Sequence, residues 1–128
     1  MSQRSIFISH ARTDRDWVRA FAESLKAGGV QVWLDELQIP VGKRLEEAVE
    51  QGLRDSDVVA FVITSDNVRD PNLLFELGAT VGMGKRAVPI VSKDMKTSEL
   101  PYPLGVRRSL MRESPQETAR KFLAETAA

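Results

Sequence analysis

The sequence predicts an α/β domain in three layers, with a five-stranded parallel sheet between two layers of helices. Three observations carry this. Short apolar runs alternate with longer stretches of helical periodicity, the order expected of strands joined by crossover helices. One run, VVAFVI at 58–63, is apolar at every position, as in a central strand covered on both faces. Proline and glycine also mark helix ends, with Asp70-Pro71 and Ser114-Pro115 at starts and Gly28-Gly29 and Gly84 at stops.

Taken in order, Ile6, Phe7 and Ile8 form a short buried strand that ends in the polar loop Ser9, His10, Ala11, Arg12. Thr13 is expected to cap the next helix, whose apolar residues Trp17, Val18, Phe21, Ala22 and Leu25 share one face. Residues 30–34 (VQVWL) form the second strand, and Trp33 is expected in the core. A loop at 36–43 (ELQIPVGK) follows, displaying Leu37, Ile39 and Val41 on a domain expected to have little other apolar surface. Leu45, Ala48, Val49, Gly52 and Leu53 recur at helical spacing. The 58–63 strand ends at Thr64, Ser65, Asp66 and Asn67.

The next helix starts at Asp70 and stops at Gly84, with Leu73, Leu77 and Val81 as its packing stripe and Leu74 widening it. Residues 87–91 (AVPIV) form a fourth strand, in which Pro89 implies weak pairing or a place near an edge. Residues 92–102 are polar, broken by prolines and unassigned. Residues 109–111 (SLM) form a short last strand. Ser114, Pro115 and Glu117 open a final helix that buries Ala119, Phe122 and Leu123.

At 128 residues the chain is one domain, either a small protein or the N-terminal module of a larger one. Eighteen basic residues balance eighteen acidic ones, which argues against a nucleic-acid surface. Cysteine is absent, so there are no disulfides or thiolate metal sites, which suits a cytoplasmic location. One histidine makes a zinc site improbable, so no metal is expected. No run reaches membrane-spanning length, and MSQRS lacks the apolar core of a signal peptide, so no membrane partner is expected.

With five parallel strands, the usual order is 2-1-3-4-5, as in flavodoxin-like folds. Ligands of such sheets sit beyond the strand carboxyl ends, between the first and third strands. The loops there are 9–12 and 64–67, and the helix carrying Glu76 begins just after the second. Glu76 flanks the apolar stripe, with Asn72 one turn before it and Thr80 one turn after. A helix glutamate is most often merely solvated. Its position beside the expected crevice instead favours a site role.

Three stretches together resemble the Toll/interleukin-1 receptor (TIR) domain family, most closely its bacterial members. They are IFISHARTDRDW (6–17), VWLDELQIPVG (32–42, resembling the second strand and the BB loop) and DVVAFVITS (57–65), the last followed by a helix with a glutamate in its second turn. The resemblance implies the TIR fold. It also implies an enzyme, a glycohydrolase or cyclase, that splits NAD+ at the nicotinamide–ribose bond, with NAD+ as substrate and no cofactor. Glu76 matches the essential glutamate of the family's enzymatic members. A role as effector of a bacterial anti-phage system is implied too, with homotypic TIR–TIR assembly, up to a filament, through the BB-loop residues Leu37, Ile39 and Val41.

One departure stands out: many bacterial members carry Trp four residues before the glutamate, where this chain has Asn72. The text PNLLFELG (71–78) instead resembles nucleoside 2-deoxyribosyltransferases, which also use a helix glutamate at an N-glycosidic bond. A non-enzymatic TIR scaffold is the alternative from another class.

The chemistry needs a carboxylate beneath the anomeric carbon, since the cationic ring departs neutral without an acid. Around Glu76, Ser9 can bond a ribose hydroxyl or end the strand, and His10, beside Ala11, can stack on a base or stand in solvent. Arg12 can neutralise a pyrophosphate or lie on the surface. Asp35 can orient the loop or pair with Arg12. Ser65 can hold ligand or close a turn, and Asn72 lies at the rim.

Overall fold

The computed structural model describes residues 4–34, 45–102, 104–106 and 108–127. The strands are β1 (Ser5–Ser9), β2 (Gln31–Leu34), β3 (Val58–Ile63), β4 (Arg86–Val91) and β5 (Leu110–Met111). The helices are α1 (Arg15–Ala27), α2 (Leu45–Arg54), α3 (Pro71–Gly82) and α4 (Pro115–Thr126). All strand pairs are parallel, in the order β2-β1-β3-β4-β5. This is the flavodoxin-like order expected from the alternation of elements.

Period-two alternation divides the core. Ile6, Ile8, Ala60, Val62, Val88 and Ile90 face Val18, Phe21, Leu25 and Phe122 of α1 and α4. Phe7, Val59, Phe61, Ile63, Ala87 and Val91 face the opposite way, towards Leu53 of α2 and Leu73 and Leu77 of α3. The layers are therefore α1 with α4 on one side and α2 with α3 on the other. Gly52 is needed where α2 crosses the sheet, since a Cβ there would lie 2.9 Å from the Phe7 ring and 3.2 Å from Trp33. Trp33 is only partly buried and packs on the rim of this core.

Pro89 has a defined place. Ser92 N–H bonds Ile63 of β3 and the Val91 carbonyl accepts from Arg112 beyond β5, so by alternation Pro89 turns its nitrogen to the β5 side. The β5 ladder begins only at Ile90, so the missing N–H deprives no partner.

Two expectations are corrected. Thr13 does not cap α1: it lies in a 3-10 turn, and its hydroxyl donates to Asp66 Oδ2 at 3.1 Å. Leu74 and Val81 are not core residues, being 44% and 43% exposed. An i, i+4 row drifts by about 40° per step around a helix, so the row from Leu73 has left the sheet by Val81. The buried face of α3 is instead Leu73, Glu76, Leu77 and Thr80. Within residues 92–102, which the sequence left unassigned, Leu100 joins the core, as does Leu104 just beyond.

Candidate functional site

Ser9 is the last residue of β1 and shares the parity of Phe7, so it faces the α3 layer. Its neighbour across the ladder is Phe61 of β3, which places it at the predicted switch point. Asp70 caps α3 by accepting from Asn72 N–H at 2.8 Å, and Pro71 occupies the first helical position. Glu76 follows in the second turn, on the side turned to the sheet.

The two side chains meet. Ser9 Oγ–H donates to Glu76 Oε1 at 2.6 Å, a length typical of a hydroxyl bonded to a charged carboxylate. Ser9 is 1% exposed and Glu76 3%, and Oε2 is also shielded from solvent. Thr80, one turn on, donates its hydroxyl to the Glu76 main-chain carbonyl at 2.6 Å, and so fixes the helix at this point. The result is a carboxylate with a set direction in a low-dielectric setting, where its field acts strongly on any positive charge brought near.

The loops around it are tied together. Asn67, buried, accepts from Thr64 N–H at 3.0 Å and donates to the Val62 carbonyl at 2.9 Å, shaping the turn from β3 to α3. The Thr13–Asp66 bond joins that turn to the one after β1. Farther out, Asp14 pairs with Arg112 at 2.7 Å, and the guanidinium stacks over Trp17 at 4.4 Å.

The other predicted site residues are not brought onto the carboxylate alike. His10 and Ala11 follow Ser9 directly and are half-buried. Arg12, in the 3-10 turn after β1, Ser65, in the turn after β3, and Asn72, in the first turn of α3, are all exposed. Asp35 and the loop residues Leu37, Ile39 and Val41 lie outside the described residues. Sequence reasoning missed Asn67 and Thr80 as shapers of the site, although an Asn closing a TSDN turn is a typical signal for the first.

Clefts of about 460 Å³ beside Trp17, Lys93 and Arg112 and about 220 Å³ beside Arg86 and Arg108 lie elsewhere, and Glu76 lines neither. The candidate site is located by its chemistry, the buried Ser9–Glu76 pair. Among the described residues, no group of three or more His, Asp or Glu side chains is placed to hold a metal, and no helix is long and apolar enough to cross a membrane.

The model of the TIR domain family matches residues 6–123. The chain is 36% identical over 102 residues to the protein of Acinetobacter baumannii (strain 1295743) named 2′ cyclic ADP-D-ribose synthase AbTIR, covering 76% of this chain and 38% of that one. It is 42% identical over 52 residues to the NAD(+) hydrolase PdTIR of Paracoccus denitrificans (strain Pd 1222), covering 40% of this chain and 17% of that one. The chain thus spans well under half the length of these relatives. The TIR domain of the Toll-related receptor TRR-2 from Hydra magnipapillata superposes with a TM-score of 0.74 at 17% identity, over 95% of this chain and 93% of that one, a likeness of fold. With the family model spanning nearly every described element, and the same sheet order found beneath it, this chain belongs to the TIR domain family.

Proposed function

We propose that this domain cleaves NAD+ at the nicotinamide–ribose bond, with Glu76 as the catalytic carboxylate, as the effector of a bacterial defence system. The observation that carries the reading is the Ser9–Glu76 pair, a buried carboxylate held at the switch point of the sheet. The names of the two relatives agree with it, one being an NAD(+) hydrolase and the other a cyclic ADP-ribose synthase. A pure scaffold has no physical reason to bury a carboxylate here, since desolvating a charge costs several kcal/mol, on the order of 3–5 if left uncompensated.

In the reaction the C1′–N bond breaks, its electron pair goes to the pyridinium ring, and neutral nicotinamide leaves. Positive charge builds on C1′ and its ring oxygen. Glu76 stabilises that charge or traps it as an ester, and water then attacks C1′ and loses a proton to give ADP-ribose. Ser9 acts as a positioning residue, aiming Oε1 through its hydroxyl. Arg12 stands where it can meet the pyrophosphate, and His10, Ser65 and Asn72 line the approach.

A carboxylate only 3% exposed must be uncovered before a nucleotide can reach it. We infer that self-assembly supplies that change, with Leu37, Ile39 and Val41 as contact residues and a neighbouring copy offsetting the entropy of ordering their loop. The test is incubation of the protein at high concentration with NAD+, and separately with a 2′-deoxynucleoside, followed by chromatography. Release of nicotinamide supports the proposal. Base exchange or hydrolysis of the deoxynucleoside without NAD+ cleavage would move the assignment to the nucleoside enzymes, and inertness towards both would favour a scaffold.

A further inference from the structure

The first half of β4 has one edge that β5 leaves uncovered. β3 pairs along the whole of β4, from Arg86 to Val91, whereas β5 joins it only at Ile90. Alternation turns the peptide groups of Arg86, Val88 and Ile90 to β3 and those of Ala87 and Pro89 to the β5 side. Pro89 has no N–H to satisfy. Ala87 has one, and the residue is only 5% exposed. Among the described residues no acceptor meets it. A buried backbone donor without a partner is rare in a native fold.

That edge is one wall of the cleft of about 220 Å³ at the amino ends of β4 and β5. Arg86, Arg108, Ser109 and the last residues of α4, Glu125 and Thr126, line the rest. Arg86 Nη2 donates to the Glu125 main-chain carbonyl at 3.0 Å, an ordinary cap for a helix end. Arg108 caps nothing. Its Nη2 reaches only the Glu125 carboxylate, at 3.1 Å, with 82% of its own side chain in solvent. So exposed a pair contributes little to stability, which leaves the place of Arg108 unexplained by the helix. A guanidinium carries five N–H donors, so both arginines keep donors for a ligand.

We propose that this cleft binds the phosphate group of a small phosphate monoester, with the Ala87 N–H, Arg86 and Arg108 as donors. A tetrahedral dianion offers three oxygens, enough to accept from the backbone and from guanidinium forks on two walls at once. Charge agrees with this choice. Arg86 and Arg108 outweigh Glu125 by one charge, and the carboxyl end of α4 returns only about half a negative charge. Arg4, bonded to the Thr126 carbonyl, adds a further positive charge beside it. The Ala87 carbonyl, on the same open edge, can accept from a hydroxyl of the ligand, and Val88 and Leu110 supply an apolar strip. The cleft is smaller than the roughly 300–1,000 Å³ of sites for larger ligands, so the organic part is small.

This site is remote from the buried carboxylate. Ser9 and Glu76 meet at the carboxyl ends of the strands, whereas Arg86 opens β4, whose six residues span about 20 Å. A ligand here does not compete with a nucleotide at Glu76. The inference therefore stands whether or not Glu76 cleaves NAD+.

The test is titration of the whole chain with inorganic phosphate, and separately with glycerol 3-phosphate, followed in proton–nitrogen correlation NMR spectra at ionic strength fixed with sodium chloride. The Ala87 amide resonance should move downfield and saturate, with a dissociation constant on the order of 0.1–1 mM for phosphate and a lower one for the ester. Arg108→Ala should weaken binding at least several-fold. Glu125→Gln removes the competing carboxylate, keeps the main-chain carbonyl that Arg86 caps, and should tighten binding. Arg120→Ala, exposed on α4 and paired with Glu117, should leave it unchanged. Affinity should also rise from about pH 6 to about pH 8, as phosphate passes from monoanion to dianion. An Ala87 resonance that stays in place up to about 10 mM phosphate would overturn the proposal. So would equal weakening by Arg108→Ala and Arg120→Ala, the mark of diffuse surface charge. Binding of phosphate with the ester excluded would overturn it as well, since that marks an adventitious ion only.

Discussion

Replacing Ser9 by alanine removes one hydroxyl from a buried position and leaves everything else at the end of β1 in place. The hydroxyl is the donor to Glu76 Oε1 at 2.6 Å, and both residues are almost fully buried. Loss of a hydrogen bond to a charged group costs about 1.5–3 kcal/mol. For a chain of 128 residues, at about 4 °C per kcal/mol, Tm should fall by roughly 6–12 °C. The same substitution in a Glu76→Gln background should cost less. A glutamine carbonyl still accepts from Ser9, but a neutral bond contributes only about 0.5–1.5 kcal/mol. A double-mutant cycle by urea unfolding should therefore give a coupling of about 1 kcal/mol or more. If Ser9→Ala costs under about 0.5 kcal/mol, or the same in both backgrounds, the serine does not hold a charged carboxylate and its positioning role fails.

Other perturbations read other parts of the structure. Gly52→Ala drives a methyl to 2.9 Å from Phe7 and should destabilise by about 1–3 kcal/mol, read by thermal melting; an unchanged Tm would mean α2 sits farther from the sheet. Arg112→Ala strips the partly buried Asp14 pair and the stacking on Trp17, and should cost about 2–4 kcal/mol with little dependence on salt. On the assembly reading, specific NAD+-cleaving activity should climb steeply across a hundredfold concentration series, and Ile39→Asp should lower it without moving Tm. A flat series would show that one chain holds a complete site.

Much of this was open to reading in the chain, and the failures have physical causes. Strand order followed from alternation because short parallel crossovers leave few topologies. Glu76 could be singled out because a carboxylate flanked by Phe75 and Leu77 contradicts its surroundings. The roll of α3 could not be read. Leu73, Leu74, Leu77 and Val81 are all apolar, so hydrophobicity alone favours burying them all, yet a helix has only one side against the sheet. The structure buries Glu76 and Thr80 and leaves Leu74, Phe75 and Val81 in water. The sequence pattern fails where a site role for Glu76 is proposed, as expected when function overrides local preference.

Ser9 shows the reverse. Its two readings, strand end or ligand contact, both missed the carboxylate, although its parity with Phe7 already assigned it to one face. Thr13 misled because a capping pattern cannot reveal that Asp66, 53 residues away, competes for the same hydroxyl. Residues 92–102 hid their role because Leu100 and Leu104 reach the core from turns without a period of their own.

The most direct test of the catalytic assignment compares the parent chain with Glu76→Gln for nicotinamide release from NAD+, at equal high concentration and with melting curves recorded on both. The substitution keeps side-chain volume, an acceptor for Ser9 and the Asp70 cap, and removes only the charge. The account predicts that nicotinamide release is abolished while Tm stays within a few degrees. A Glu76→Gln variant that is well folded and cleaves NAD+ at a rate near the parent's would contradict it.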